Sequence, residues 1–423
     1  MMEKRFYPQV GETLYQGKLQ NGLQIIVLPR PGFTKKLCYF VTDYGAIHTH
    51  FQMDGAEYAA PAGVAHYLEH KLFDMPGRDV TGEFAAMGAI PNAFTSYDMT
   101  AYYVLCSGHF YESLQILLEF VSTPYFPEES IKRELGIIDQ EIGMHTDSPE
   151  SRVFENLMQA MYRDFPIRLP ILGTSDSIRE ITPEILTLCH QAFYDPSNMV
   201  LSIVGDVDPK QVLSLVQQVL GTQSRTAGEK IRVETEPTTC FQPRITDKME
   251  ISMPTFLLGF KWGDLENSQE SIRLEVIGDL AAEALFGESS QLYLDLYDQG
   301  IIDGSFGGGF EIADDRAMLI CGGDSNDPQA VFDAILAQAE KLSQTGIEES
   351  AFLRMKRSAL GRRIRDLDSF DSTCFRLCAY ALSEFDYFDF PEIYDRISRE
   401  DIQQFLQVLT DRARWSISVI DPI

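Results

Sequence analysis

The chain is short of positive charge. Its 35 Lys and Arg stand against 63 Asp and Glu over 423 residues, a formal net charge of −28. Phosphate recognition needs clustered Lys and Arg, so nucleic acid is excluded as a partner. Long apolar runs are missing too, which leaves no membrane-spanning helix and no membrane partner. The first residues, MMEKRFYPQVGETLYQG, hold no apolar signal core and predict a cytoplasmic protein. Cysteine is sparse and dispersed, with 7 residues and no C-x-x-C pair. That pattern predicts free thiols in a reducing compartment. Cys374 and Cys378 could share a helix face, but no His or further Cys lies near them, and they read as core packing.

Histidine is equally scarce, at 7 residues, yet two of them fall within one pentapeptide, His66-Tyr67-Leu68-Glu69-His70. The surrounding stretch GVAHYLEHKLFDMPG has helical apolar spacing. Residues four apart share a helix face, so both imidazoles can reach one metal ion. Glu69 is near enough to touch a metal-bound water without being a ligand. The order H-x-x-E-H is the inverse of H-E-x-x-H and marks metal-assisted hydrolysis. His48 and His50, two apart, could share one side of a strand, but no third ligand accompanies them and they read as structural.

A catalytic zinc needs three protein ligands and an open position. The third is expected from a separate helix. In ESIKRELGIIDQEIG, Glu134 and Glu141 lie two helical turns apart and share a face. One can bind the metal while the other orients a ligand.

The two halves of the chain echo each other. ITPEILTLCHQAFYDPSNMVLSIVGDV aligns without gaps on ISREDIQQFLQVLTDRARWSISVIDPI, and PEESIKRELGIIDQEI pairs with IEESAFLRMKRSALGRRI. Each member of the first pair reads as a capped helix, a turn and an apolar strand, with Thr182 and Ser398 as caps. This predicts a duplicated α+β unit. The Gly, Ser, Thr and charge-rich stretch at about 221–237 reads as a linker between an N-terminal domain, 1–225, and a C-terminal domain, 238–423. In the first half, LQIIVLPR, KLCYFVTDYGA and MTAYYVLCS read as strands; HYLEHKLFD, HFYESLQILLEFV and EESIKRELGIIDQEIGM read as helices. The mixture predicts a mixed, mostly antiparallel sheet with helices on one face. Gly307-Gly308-Gly309 is followed by no G-K-[ST] and reads as close backbone packing or a flexible turn rather than a phosphate loop.

These motifs together resemble the M16 (pitrilysin) metallopeptidases, in the M16B branch that includes mitochondrial processing peptidase and bacterial relatives. Phe73 extends the signature to H-x-x-E-H-x-x-F, and NAFTSYDMTAYYV, RLPILGTSDSI and FYDPSNMVLSIVGDVD match further family segments. The likeness is close in the first half and looser in the second. It implies two LuxS/MPP-like units, the first catalytic and the second not. It implies one Zn2+ per chain, held by His66, His70 and Glu141, with Glu69 as general base and Glu134 supporting the site. It implies that peptides add as a strand beside the metal at Asn92, Ala93, Phe94 and Thr95. It also implies a closed chamber formed by a homodimer, or by a heterodimer with a paralogue. The function implied is a zinc metalloendopeptidase; the alternative is a non-catalytic peptide-binding or scaffold subunit. The Arg and Tyr by which the family's second half holds substrate have no match here, since SFGGGFEIADDRAMLICGG offers Arg316 but no suitably spaced tyrosine.

Overall fold

The computed structural model describes residues 2–221, 227–232, 236–265 and 268–423. Residues 222–226 and 233–235 of the stretch read as a linker therefore lie outside the described residues. Inside it, Glu229–Lys230 adds a short strand to His50–Met53.

The chain forms two compact units. The first holds a seven-stranded sheet of β1 (Glu3–Tyr7), β2 (Glu12–Lys18), β3 (Gln24–Pro29), β4 (Lys36–Thr42), β5 (Ile90–Thr95), β6 (Thr100–Cys106) and β7 (Met199–Gly205), in the order β1-β2-β3-β7-β4-β6-β5. Only β7 with β3 is parallel; the other pairs are antiparallel. β5 closes the order, so one of its edges has no partner strand among the described residues. The second unit holds β8 (Arg244–Met249), β9 (Thr255–Asp264), β10 (Gly307–Ala313), β11 (Arg316–Asp324) and β12 (Trp415–Pro422), in the order β8-β12-β9-β11-β10.

The two sheets repeat one plan. In each, the last strand of the half inserts between a parallel and an antiparallel neighbour: β7 between β3 and β4, and β12 between β8 and β9. The segment leading in is also repeated. Helix Pro183–Phe193 is capped by Thr182, and helix Arg399–Val408 by Ser398. A short turn follows, fixed by Asp195 in one half and Asp411 in the other, each accepting from a backbone N–H two residues on. A shared hydrogen-bonding device at matched positions bears out the duplication and the α+β class.

The compact units do not follow the chain's halves as a split at one linker would have it. Residues 143–169 belong to the second unit, and Ile364–Asp389 to the first. Helix Pro149–Met161 has a buried face of Val153, Leu157, Met158 and Met161 and packs on β9 and β12. Helix Phe370–Leu382 has Cys374, Leu377 and Cys378 on its buried face and packs on β4 and β7. In both halves, the helix after the long one (Glu128–Thr146 in the first, Glu349–Arg365 in the second) covers the sheet built mainly from the other half. The Cys374 and Cys378 thiols sit in this core, as packing predicts. The glycine run forms part of β10 rather than a turn, and a Cβ on Gly308 would overlap the Ile320 carbonyl of β11.

Among the described residues, no helix is long and apolar enough to cross a membrane.

Candidate metal centre

The pentapeptide lies on α1 (Val64–Lys71). The chain enters α1 through Gly63, whose φ of 93° suits glycine. This entrance is clamped by the segment carrying Ile171-Leu172-Gly173-Thr174. A Cβ on Gly173 would overlap the Ala62 carbonyl, and Ser177 donates its hydroxyl to that same oxygen at 2.9 Å. Val64, Ala65, Tyr67 and Leu68 are buried and anchor α1 in the first unit's core. Burying one side chain such as Leu68 contributes about 1.5–3 kcal/mol. Phe73, just beyond the helix, stacks on Phe120 with ring centroids 4.8 Å apart.

The second Glu-bearing element is α2 (Glu128–Thr146). Ser130, Ile131 and Ile138 are its buried residues, and Glu134 and Glu141 are half-buried along the same stripe. The Tyr67 hydroxyl donates to the Ile131 carbonyl at 2.6 Å and fixes α1 against α2.

That packing brings three ligand atoms together. The Nε2 atoms of His66 and His70 each stand 3.6 Å from Glu141 Oε2. Among the described residues, this trio is the one His/Cys/Asp/Glu group with metal-ligand spacing, its atoms all within 4.8 Å of one another. Tetrahedral zinc with bonds of about 2.0–2.2 Å puts ligand atoms about 3.3 Å apart. Both separations from Glu141 are close to that spacing, so the trio could hold such an ion. Side-chain exposures of 24% for His70 and 30% for Glu141 leave one side open to solvent, as a catalytic site requires.

Glu134 is not in the trio. It lies behind His70, its Oε1 3.0 Å from Nδ1. With Nδ1–H as donor, the Nε2 lone pair points to the metal position. This hydrogen bond holds the Glu134 carboxyl below its ordinary range, against burial and with help from Lys71. Burial pulls the His70 imidazole down, but the Glu134 hydrogen bond and the Glu69 and Glu141 charges carry it above its ordinary value.

Glu69 faces the end of β5. The Thr95 hydroxyl, at the end of β5, donates to its Oε2 at 2.6 Å. Burial raises the Glu69 carboxyl, and Thr95 and His70 only partly counter this. Asn92, Ala93 and Phe94 lie on β5 itself, paired with Tyr103, Tyr102 and Ala101 of β6.

Two contacts escape sequence reasoning. Thr95 is legible as part of the N-A-F-T segment but not as a partner of Glu69. Lys71 gives no signal, because a lysine beside a polar helix face ordinarily reads as solvated. Other candidates fall away. His48 is buried, its Nδ1 accepting from the Gly45 N–H at 2.9 Å. Arg316 is buried between Asp264, at 3.1 Å, and Asp315, at 3.0 Å, which engages it within its own unit.

The chain belongs to the M16 peptidase family. Residues 55–175 match the profile described as Insulinase (Peptidase family M16), and residues 180–359 match Peptidase M16 inactive domain. The chain is 35% identical over 421 residues, 98% of each sequence, to a Bacillus subtilis (strain 168) protein named Uncharacterized zinc protease YmfH. A Bacillus subtilis (strain 168) protein named Uncharacterized zinc protease YmxG is 26% identical over 84% of this chain and 85% of its own length. Among solved structures, one described as that of an M16-like peptidase from Alicyclobacillus acidocaldarius superposes with a TM-score of 0.93 at 31% identity, covering 100% of this chain and 99% of that one. A Helicobacter pylori protease at 19% identity, covering 97% and 100%, shares the fold with a TM-score of 0.82.

Proposed function

We propose that this chain is a zinc-dependent metalloendopeptidase acting on peptides or unfolded segments. The carrying observation is the pair of 3.6 Å separations from Glu141 to the two imidazoles, with Glu69 beside them. A zinc ion bound there supplies Lewis acidity, bringing the pKa of a water toward neutrality and polarising the scissile carbonyl. The chain's own groups do the rest. His66, His70 and Glu141 hold the ion, and Glu134 fixes the ring of His70. Glu69 takes a proton from the attacking water and returns it to the leaving amine. Its burial favours this, because a carboxyl raised toward working pH both accepts and releases a proton readily. The unpaired edge of β5 offers backbone groups to an extended peptide at Asn92, Ala93 and Phe94, with little demand on sequence.

The test is metal content and hydrolysis of a peptide library by the purified chain. One zinc per chain and loss of cleavage on chelation, restored by added zinc, are expected. His66→Ala and Glu141→Gln should lose both zinc and activity. Cleavage that survives complete removal of metal would overturn the proposal, and activity that appears only with an added paralogue and depends on the paralogue's own metal motif would favour the scaffold alternative.

Thr95→Val gives a finer readout. A hydrogen bond to a charged group is worth about 1.5–3 kcal/mol. The variant should lose about tenfold or more in kcat with zinc content unchanged, and an unaltered kcat would remove Thr95 from the machinery.

A further inference from the structure

Lys71 follows His70 on α1, yet its side chain is only 1% exposed. A buried ammonium is costly unless its donors are all matched. Lysine has three N–H donors, and three oxygens surround this one: Asp74 Oδ2, Ser130 Oγ at 2.5 Å and Glu134 Oε2 at 3.4 Å. Ser130 donates in turn to Asp74. The partners come from the segment after α1 and from the first two turns of α2, so the amine ties the two ligand-bearing helices together.

Glu134 is thus held at both oxygens. Oε1 faces His70 Nδ1 at 3.0 Å and Oε2 faces Lys71. With either contact removed, the carboxylate can turn about its last bond and release the ring of His70.

We propose that Lys71 is a positioning residue of the metal centre, which locks Glu134 by its second oxygen and thereby sets the orientation and tautomer of His70. This rests on the metal reading of His66, His70 and Glu141. The role of Lys71 is electrostatic and directional: it supplies a fixed positive charge among the acidic groups of the site and leaves Glu134 one rotamer.

The test measures zinc affinity by competition with a chromophoric chelator, independently of peptide cleavage. Lys71→Met should bind zinc about 10–100-fold more weakly than the parent, the cost usual for losing an outer partner of a metal ligand. Lys71→Gln, which retains a polar group for Ser130 and Asp74, should show a loss of similar size. In a Glu134→Gln background, Lys71→Met should add less than about threefold, because its route to His70 has already gone. A merely structural lysine would give additive losses there. A folded Lys71→Met or Lys71→Gln with zinc affinity within about threefold of the parent overturns the proposal, as does additivity with Glu134→Gln. If neither variant folds, Lys71 serves the fold and the proposal falls. A parent chain that takes up no zinc would instead sink the metal reading itself.

Discussion

Glu69→Gln should abolish peptide cleavage while leaving the metal in place. The expected loss is about 10²–10⁴-fold in kcat, the usual contribution of a positioned general base. Zinc content should stay at the parent level, because the ligand trio is His66, His70 and Glu141. The fold should also be unaffected, since the amide oxygen introduced by the substitution can still accept from the Thr95 hydroxyl, which lies 2.6 Å from Oε2 of Glu69. This combination separates the base from the ligands: a His70 variant loses metal and activity together, and a Glu69 variant loses activity alone. Measuring kcat and bound zinc on one preparation decides it. A Glu69→Gln chain that cuts at the parental rate would exclude the proposed mechanism even with zinc bound.

The parts of the site that are legible in the sequence are those set by local periodicity. His66 and His70 are one turn apart on one helix, and Glu134 and Glu141 are two turns apart on another, so each pair can be placed on a face from spacing alone. What joins the two helices is not periodic. The Tyr67 hydroxyl reaching Ile131, and the Lys71 amine reaching Ser130, span 64 and 59 residues. Nothing local distinguishes a buried Lys71 from a solvated one. The same limit governs the domains. The duplicated helix-turn-strand segments carry local caps at Thr182 and Ser398 and can be seen. The assignment of helix Phe370–Leu382 to the first unit depends on which sheet its Cys374 and Leu377 face meets, and that is settled by long-range packing. Arg316 shows the converse. Its sequence context offers a free cation, whereas two carboxylates on either side occupy it.

Lys261→Met should unfold the second unit more easily than any surface substitution. Lys261 and Glu236 form a salt bridge whose side chains are 2% and 1% exposed. Lys261 also donates to the Met161 carbonyl at 3.0 Å. Glu236 accepts from the N–H groups of Arg163, Asp164 and Phe165, at 2.8 to 2.9 Å. Removing the amine leaves a buried carboxylate without its counter-ion, which costs about 3–5 kcal/mol. With a urea slope of about 1–3 kcal/mol per molar, the midpoint should fall by about 1–5 M. The reporter is built in, because the chain's two tryptophans, Trp262 and Trp415, both belong to this unit. The pH dependence follows from Glu236. Burial pushes its carboxyl up, but Lys261 and the backbone amides outweigh this and hold it below the ordinary value. A carboxyl depressed by folding contributes stability that is complete above its unfolded pKa, about 4.3, and is lost as pH falls through the folded one. The gap between parent and Lys261→Met should therefore be widest near neutrality and close in acid. Replacing both partners, as Lys261→Met with Glu236→Gln, should recover part of the loss at neutral pH, because no charge is then left buried alone. A tryptophan-monitored midpoint that does not move in Lys261→Met, or a gap that widens in acid, would show that the pair does not hold the unit together.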